Sequence, residues 1–373
     1  MEIIYCQAET ELLWLIIPAL VLIAYYLLFY SALLRQLELP TASADQSAHL
    51  LQPASIIIAA RNEQFNLEKN LPEILAQDYP EFEVIIVDDG SEDSSPTLLK
   101  AYEDKKLKFF RMSQSRGKKK AILRGIEEAK YAHLVFIDAD CTPASRQWLK
   151  GMMEQFTASV EIVLGHGRYA AEPTFLNRLI RHECLSTATQ YLSFAQKGKP
   201  YMGVGRNLAY TKKVFSASTA FDRYDDLLSG DDDLLVNEMA NASNVAISAG
   251  REAHTISETE SSWKAYFHQR RRQLQAGTHY RSKDQLALAL LGSAHLVFNI
   301  STLILLWSSG CKLLILTIFA LKGLIQTFYL KKMSNFLGDK DVSLTAAGMD
   351  LIYYPLISLL AVSTQIWKIK KWK

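Results

Sequence analysis

The apolar residues of this 373-residue chain are concentrated near its two ends, whereas the middle alternates short apolar and charged blocks. Residues 12–34 carry no charge, and they are long enough to cross the roughly 30 Å apolar core of a bilayer as one helix. No small-residue cleavage site follows, so the segment predicts an uncleaved anchor rather than a signal peptide. We therefore assign residues 1–36 to an N-terminal transmembrane anchor and residues 37–52 to a linker.

Apolar character returns near Leu286 and continues almost to the end of the chain. Two segments, Leu286–Trp307 and Leu313–Leu330, predict spanning helices joined by a tight turn. We expect a polar loop over residues 331–343 and then a third apolar segment, Leu344–Trp367. Residues 284–373 are thus predicted to form a region with two to three membrane helices.

Two ionisable residues interrupt these apolar segments. Lys322 lies in the middle of the second segment and must face protein, water or a lipid headgroup. Asp350 lies near the start of the third, where it is either an interfacial residue or a functional one.

Residues 53–283 predict one soluble domain built from alternating strands and helices. Such alternation indicates an α/β fold with a mostly parallel sheet and helices on both faces. The predicted strands are Ala54–Ala60, Phe82–Val87, Leu107–Arg111 and His133–Ile137, and the predicted helices are Leu67–Gln77, Lys118–Lys130 and one beginning near Ser94-Ser95-Pro96.

Polar clusters follow three of these strands at their carboxyl ends, where sheets of this kind bind ligands. They are Arg61-Asn62-Glu63, Asp88-Asp89 and Asp138-Ala139-Asp140. The last cluster places two carboxylates two residues apart, and such oxygen ligands can hold a hard divalent cation against a diphosphate. Three clusters on successive strand ends predict one shared pocket.

Charge and cysteine usage exclude some classes of protein. The formal net charge is +2 and the pI is near 8.2, which argues against a dedicated nucleic-acid binder. Residues 118–120 and 270–272 are local basic clusters that could meet phosphate. The four cysteines lack a CxxC spacing and imply neither a disulfide framework nor a zinc site.

Four motifs, in this order, resemble the nucleotide-sugar half of a family-2 glycosyltransferase: residues 59–63, 87–91, 117–118 and 138–140. The resemblance covers roughly residues 53–277, and the flanking helices are similar to those of the family's membrane-bound members. It implies an inverting enzyme with the nucleotide-diphospho-sugar transferase fold, called GT-A. Residues 53–142 would form the nucleotide-binding half, and residues 143–283 the acceptor half with an interfacial helix.

The same resemblance assigns residues to the donor side of a site. Carboxylates accept hydrogen bonds from base N–H groups and ribose hydroxyls, and a metal ion neutralises the diphosphate. Asp140, together with Asp138, is expected to bind Mg²⁺ or Mn²⁺. The residues expected to contact the donor are Ala60, Asn62, Glu63, Asp88, Asp89, Lys118 and Asp138.

Residues 230–235 place three consecutive acids at the start of a helical pattern. Capping of the helix N-terminus accounts for one or two of them, and a third is harder to explain because adjacent carboxylates repel. The family carries a pair of acids here whose second member is the catalytic base. The resemblance therefore implies that Asp232 is the base, with Asp231 as the alternative assignment.

Two further segments resemble the acceptor or diphosphate side of the family's site. Gln273 occupies the position of the tryptophan that supports the growing glycan in processive synthases, which weakens a processive interpretation. The segment around it is also typical of a basic interfacial helix on anionic lipid. The residues expected to contact acceptor or diphosphate are Gly205, Arg206, Asn207, Gln269 and Arg272.

These expectations describe a single in-line displacement. A sugar would pass from a nucleotide-diphospho-sugar, with a UDP-sugar expected, to a hydroxyl of a lipid-linked or polysaccharide acceptor at the membrane. Expected partners are the donor, the lipid or glycan acceptor and membrane lipids, and not nucleic acid. Two alternatives stay open: a membrane nucleotidyltransferase, which can share the fold, and a catalytically silent membrane scaffold of a glycan synthase complex.

Use of cytosolic nucleotide donors places the domain on the cytoplasmic side, and we expect the bacterial inner (plasma) membrane. The short acidic N-terminus then lies outside, in agreement with the positive-inside rule. Three full crossings after the domain would place the basic tail, residues 368–373, outside and against this rule. The third apolar segment, which contains Asp350, is therefore the one that we expect to be re-entrant or interfacial if one of the three does not cross fully.

Overall fold

The computed structural model describes residues 2–38, 51–102, 104–227 and 229–366. Most of the predicted linker and the basic tail, residues 368–373, lie outside the described residues. The topology argument that depends on that tail therefore stays a prediction.

Strands of the described residues form two sheets. The strands are Ala54–Ala60 (β1), Phe82–Asp88 (β2), Leu107–Arg111 (β3), His133–Phe136 (β4), Cys141–Pro143 (β5), Ile162–Gly165 (β6), Gly167–Tyr169 (β7), Leu208–Thr211 (β8), Val245–Ser248 (β9) and Thr255–Ser257 (β10). The larger sheet has the order β3-β2-β1-β4-β8-β6-β9, and the smaller one β5-β10-β7.

The larger sheet is mostly parallel. β1 pairs in parallel with β2 and β4, and β2 pairs in parallel with β3. β8 runs antiparallel to both of its neighbours, β4 and β6. The α/β fold expected from the sequence is confirmed, and the four predicted strands end within one residue of their predicted ends.

Helices precede, cover and follow the sheets. They are Glu2–Tyr25 (α1), Ser31–Glu38 (α2), Gln64–Leu75 (α3), Ser95–Ala101 (α4), Lys118–Glu128 (α5), Trp148–Met153 (α6), Phe175–Gln196 (α7), Lys212–Ala217 (α8), Ala220–Arg223 (α9), Asp233–Met239 (α10), Trp263–Gly277 (α11), Ser282–Ser308 (α12), Lys312–Leu337 (α13), Lys340–Ser343 (α14) and Ala346–Ile366 (α15). A π-helical turn, Tyr26–Tyr30, joins α1 to α2, and Arg251–Ala253 is a short 3₁₀ helix.

Alternate residues of β1 point into two different cores, as strand geometry requires. Ile56 and Ile58 pack with α3 on one face, whereas Ile57 packs with α5 on the other. A Cβ atom at Gly125 of α5 would lie 2.6 Å from Ile57 Cγ2, so glycine at this position allows the close packing of helix on strand. Burial on both faces explains why the β1 sequence is a continuous apolar run.

Four helices in the described residues are long and apolar enough to cross a membrane: Glu11–Glu38, Ser282–Ser308, Lys312–Leu337 and Ala346–Thr364. The segment suspected of being re-entrant is one continuous helix, α15, of 21 residues. Its length of about 32 Å, at 1.5 Å per residue, is close to the thickness of a bilayer core of about 30 Å. Its length and composition therefore suit a full crossing.

The prediction of a polar loop over residues 331–343 is wrong. Helix α13 continues to Leu337, and α14 follows after a turn of two residues. The helix continues because Met333 and Leu337, four residues apart, are fully buried on one face. Lys331, Lys332, Ser334 and Asn335 gave this stretch its polar appearance.

Asp350 and Lys322 are both buried between the C-terminal helices. The Asp350 carboxylate accepts hydrogen bonds from Lys322 Nζ at 3.1 Å, His182 Nε2 at 3.0 Å and Gln326 Nε2 at 2.7 Å. His295 Nδ1 lies 3.4 Å away. The carboxylate thus connects α15 to α7, α12 and α13.

His182 is the middle one of three consecutive ionisable residues of α7, each no more than 5% exposed. Arg181 Nε donates to Oδ1 of Asp339, just before α14, at 2.8 Å, and its Nη2 donates to Oδ1 of Asp341, within α14, at 2.6 Å. Glu183 accepts bonds from Arg270 of α11 at 2.6 Å and from the Tyr266 hydroxyl at 3.0 Å. Residues 181–183 therefore join α7 to three separate parts of the C-terminal half.

We predict that Asp350→Ala lowers the free energy of unfolding by about 3–5 kcal/mol, because Lys322 is then a buried charge without its carboxylate partner. The measurement is thermal or chemical unfolding of the full-length protein in detergent. Asp341→Ala is the control. The Asp341 side chain is 54% exposed and Arg181 keeps Asp339, so we expect a loss of only about 1 kcal/mol or less. Equal losses in the two variants would contradict the prediction.

Candidate active site

A cleft of about 600 Å³ opens where the carboxyl ends of β1 and β4 meet the N-terminal ends of α5 and α10. Ligand sites of α/β sheets lie at such strand ends. Ten of the fifteen residues expected at the site line this cleft: Glu63, Lys118, Asp138, Asp140, Gly205, Arg206, Asp231, Asp232, Gln269 and Arg272. The structure thus brings residues from both halves of the domain into one concave surface.

Lys118, the first residue of α5, joins the two acidic sides of the cleft. Its Nζ lies 2.8 Å from Asp138 Oδ1 and 3.8 Å from Asp231 Oδ2. Burial opposes the charged form of the lysine, but the carboxylates of Asp138, Asp231 and Asp232 outweigh it and raise the pKa of Lys118. The ammonium group therefore stays charged and links the β4 end to the α10 start.

Asp138 and Asp140 follow β4 and differ in their surroundings. Burial would raise the pKa of Asp138, but the ion pair with Lys118 lowers it. The side chain of Asp140 is exposed to the cleft. Partial desolvation by the cleft walls and the charges of Asp138 and Glu63 raise its pKa to about 6. The two aspartates and Glu63 therefore concentrate negative charge that a cation would stabilise.

The three acids at residues 231–233 have separate roles. Asp232 is the N-cap of α10: its Oδ1 accepts from the Asp233 amide at 2.9 Å and its Oδ2 from the Gly205 amide at 2.5 Å. Burial and the neighbouring Asp231 raise the pKa of Asp232. Asp233 also lines the cleft and accepts a bond from the Tyr280 hydroxyl at 2.8 Å, while burial raises its pKa strongly.

Glycine at position 205 allows the backbone and the Asp232 carboxylate to approach closely. A Cβ atom there would lie 3.0 Å from Asp232 Oδ2. The neighbouring Arg206 is held by Gly167 O at 2.9 Å, and its guanidinium lies 4.3 Å from the Tyr169 ring centroid, within cation–π range. This segment therefore fixes both the carboxylate of Asp232 and a cation of the cleft wall.

Asp88 and Asp89 do not line the cleft but hold loops below it. Asp88 accepts bonds from the Ser91 amide and lies 3.3 Å from Arg111 Nε. Asp89 accepts three bonds from the loop before α5: from Ser115 Oγ at 2.8 Å and from the amides of Arg116 and Gly117 at 2.7 and 2.9 Å. Direct contact of these two carboxylates with a donor stays a prediction.

The other three expected residues outside the cleft wall are Ala60, Asn62 and Asn207. Ala60 is buried, and its carbonyl accepts from the Asp89 amide. Asn62 has a φ of 56°, which asparagine tolerates better than most residues, and its Oδ1 accepts from the Glu92 amide. Asn207 is fully buried, where its amide binds Trp148 Nε1 and two backbone carbonyls.

The sequence missed the part of the cleft wall that comes from α7 and the C-terminal helices. Glu183 and Arg270, which pair with each other, both line the cleft, as do Tyr353 and Ile357 of α15 and Leu288 of α12. The sequence feature that could have identified Glu183 is a glutamate in the middle of a largely buried helix. The contribution of α15 had no such signal, because it depends on how the helices pack.

The parallel β1–β2–β4 arrangement, the aspartates after β4 and the acidic start of α10 define a domain of the GT-A type. The fold matches that of the mannosyltransferase PcManGT from Pyrobaculum calidifontis, solved with GDP-Man and Mn²⁺, over 94% of this chain and 98% of that one. The TM-score is 0.58 at 16% sequence identity, which shows a shared fold.

Residues 55–218 match the model of glycosyl transferase family 2, and the chain carries a domain of that family. The poly-beta-1,6-N-acetyl-D-glucosamine synthase of Staphylococcus epidermidis is 37% identical over 89 residues, 23% of this chain and 21% of the synthase. Glycosyltransferase AglE of Haloferax volcanii is 32% identical over 168 residues, 43% of this chain and 51% of AglE. The chain thus aligns with about a fifth to a half of the length of these relatives.

We predict that Asp89→Ala loosens the loop before α5, because two backbone amides and a hydroxyl lose their acceptor. The expected loss in the free energy of unfolding is about 1–3 kcal/mol. Hydrogen exchange of a peptide spanning residues 115–117 should become faster. Glu92→Ala, at an exposed position nearby, is the control and should leave exchange unchanged. Unaltered exchange in Asp89→Ala would show that the loop is held by other contacts.

Proposed function

We propose that this protein is an inverting, metal-dependent glycosyltransferase that moves a sugar from a nucleotide-diphospho-sugar, with UDP the expected nucleotide, to a hydroxyl group at the membrane. The observation that carries the proposal is the cleft itself. In it, Asp138 and Asp140 after β4 face Asp231 and Asp232 before α10, with the Lys118 ammonium between them. The family-2 domain supports the same reaction class.

Asp140 and Asp138 are the residues that would hold Mg²⁺ or Mn²⁺. Within the described part of the chain, no group of three or more His, Cys, Asp or Glu side chains could hold a metal ion by itself. This fits a metal bound by one or two carboxylates and completed by substrate phosphate oxygens, as is usual for Mg²⁺. When bound, the ion supplies charge neutralisation for the departing diphosphate.

Asp232 is the residue that we assign as the general base. Each of its oxygens accepts one backbone hydrogen bond, which fixes the carboxylate and leaves further acceptor capacity on both atoms. The raised pKa that burial and Asp231 give this carboxyl makes it a stronger base than an exposed aspartate. It would take the proton of the acceptor hydroxyl as that oxygen attacks the anomeric carbon.

Basic side chains of the cleft wall would bind the leaving nucleoside diphosphate. Lys118, Arg206 and Arg272 all line the cleft, and Arg206 is fixed by its contacts with Gly167 and Tyr169. Stabilisation of charge that develops on a leaving group is usually the largest contribution to catalysis. The preorganised Arg206 suits that role because little reorganisation is needed.

A membrane-bound acceptor, lipid-linked or polysaccharide, fits the location of the cleft. Leu288 of α12 and Tyr353 and Ile357 of α15 form part of its wall, and both helices are candidate membrane spans. The match to a polysaccharide synthase, although limited to 23% of this chain, points in the same direction. We place the catalytic domain on the cytoplasmic side of the bacterial inner (plasma) membrane, where nucleotide sugars are made.

The first experiment is a donor screen with the full-length protein in detergent. UDP-, GDP- and dTDP-sugars are incubated with Mg²⁺ or Mn²⁺, and release of nucleoside diphosphate is measured with and without a membrane lipid extract. Release of pyrophosphate from a nucleoside triphosphate would instead support a membrane nucleotidyltransferase. Binding of a nucleotide without turnover on any acceptor would support a silent scaffold.

We predict that Asp232→Asn lowers transfer by at least about 10²-fold, because the amide cannot accept the hydroxyl proton. Binding of the nucleoside diphosphate, measured by calorimetry, should stay within twofold of the wild type. Asp222→Asn, at an exposed position outside the cleft wall, is the control and should leave both unchanged. Normal turnover in Asp232→Asn would overturn the base assignment and direct attention to Asp231.

We predict that Asp140→Ala removes the metal-dependent part of donor binding. In calorimetry, the wild type should bind nucleoside diphosphate more tightly with Mn²⁺ than with a chelator, and the variant should bind with the chelator-level affinity under both conditions. The chelator arm controls for general damage to the donor side of the cleft. Equal wild-type affinity with and without metal would contradict the metal assignment.

A further inference from the structure

A second cavity of about 700 Å³ lies between the N-terminal helix, α12 and the catalytic domain. None of the residues that line it belongs to the wall of the active-site cleft. We call it the lateral groove. Its volume lies within the range of about 300–1,000 Å³ that is typical of ligand pockets.

The body of the lateral groove is apolar and is formed by two candidate membrane spans and the end of α7. Leu28 and Phe29 come from the N-terminal span, Phe194 from α7, and Leu290 and Leu291 from α12. Leu28 and Leu290 are more than half exposed. Apolar side chains of this kind, on helices that cross a membrane, fit the hydrocarbon chain of a lipid.

One end of the lateral groove is basic. Lys199 and Lys283 are exposed there, and Lys199 Nζ lies 6.0 Å from the Phe29 ring centroid. Arg281 and Asp284 also line this end, but they neutralise each other through an ion pair of 2.8 Å. The two lysines therefore supply the net positive charge that faces the groove.

The depth of the lateral groove matches one leaflet of a bilayer. Lys283 lies in the first turn of α12, next to the catalytic domain, and Leu291 is eight residues further along the same helix. Eight residues of helix span about 12 Å, close to half of an apolar core of about 30 Å. A lipid with its phosphate at the lysines would therefore extend its chains along Leu290 and Leu291 towards the middle of the membrane.

We propose that the lateral groove binds one anionic phospholipid of the leaflet next to the catalytic domain. The lysines pair with its phosphate, and the apolar wall holds an acyl chain. Basic pockets beside transmembrane helices attract anionic headgroups, and each lysine near the headgroup region adds measurably to that attraction. The proposal concerns a site separate from the cleft, so it does not depend on the proposed function.

The test is native mass spectrometry of the full-length protein after exchange into detergent with phosphatidylglycerol or phosphatidylcholine. The wild type should retain one phosphatidylglycerol with at least tenfold preference over phosphatidylcholine. The double variant Lys199→Glu with Lys283→Glu should lose that preference, because its carboxylates repel the phosphate. Lys197→Glu reverses the charge of an exposed lysine that does not line the groove and should retain the preference.

A second variant separates site occupancy from surface charge. Ala287→Trp fills the lateral groove without changing any charge and should also abolish retention of phosphatidylglycerol. Unfolding temperatures of all variants, measured without lipid, identify any that do not fold. Equal retention of both lipids by the wild type, or full retention by folded Ala287→Trp, would overturn the proposal. Binding of a second copy of the chain in place of lipid, seen as a dimer mass, would also overturn it.

Discussion

The structure depends most on the buried polar contacts that residues 181–183 of α7 make with three separate parts of the C-terminal half: two sets of ion pairs, from Arg181 and Glu183, and one hydrogen bond, from His182. The charges of Arg181 and Glu183 would be strongly unfavourable alone in an apolar interior, so their partners must stay in place. His182 fixes Asp350 of α15, and Glu183 fixes Arg270 of α11. Because Arg270 and Tyr353, three residues after Asp350, line the cleft, the pairs that join the domain to the helices also shape the site.

The cleft is organised by the balance of charge around Lys118. Without this ammonium, Asp138 and Asp231 would face each other across the cleft with no cation between them. The lysine stabilises both, and it leaves Asp140 as the exposed carboxylate with a raised pKa. In the proposed reaction, the metal-bound diphosphate would bind on the Asp138 and Asp140 side of the Lys118 ammonium. The proton would pass to Asp232 on the other side.

The sequence predicted what depends on local pattern and missed what depends on packing. The fully buried run of β1 and the acids after β4 were visible because burial on both faces and strand-end location leave a clear signature. Asp89 was expected to contact the donor and Asp140 to bind the metal, yet Asp89 is fully buried and accepts hydrogen bonds from the loop before α5. Only the fold shows which carboxylate meets solvent. The role of Asp350 was left open because its partners lie 24 to 168 residues away.

Helix α7 relates the cleft to the membrane by its length alone. Glu183 lines the cleft and Phe194 lines the lateral groove, and the eleven-residue step of helix from one to the other spans about 16 Å. Two candidate spans form walls of the apolar groove, so crossing of the bilayer by these helices would place the groove at membrane depth. The cleft would then lie within about the thickness of one leaflet from the bilayer. An acceptor anchored in the membrane could therefore present its hydroxyl at Asp232 without leaving the lipid phase entirely.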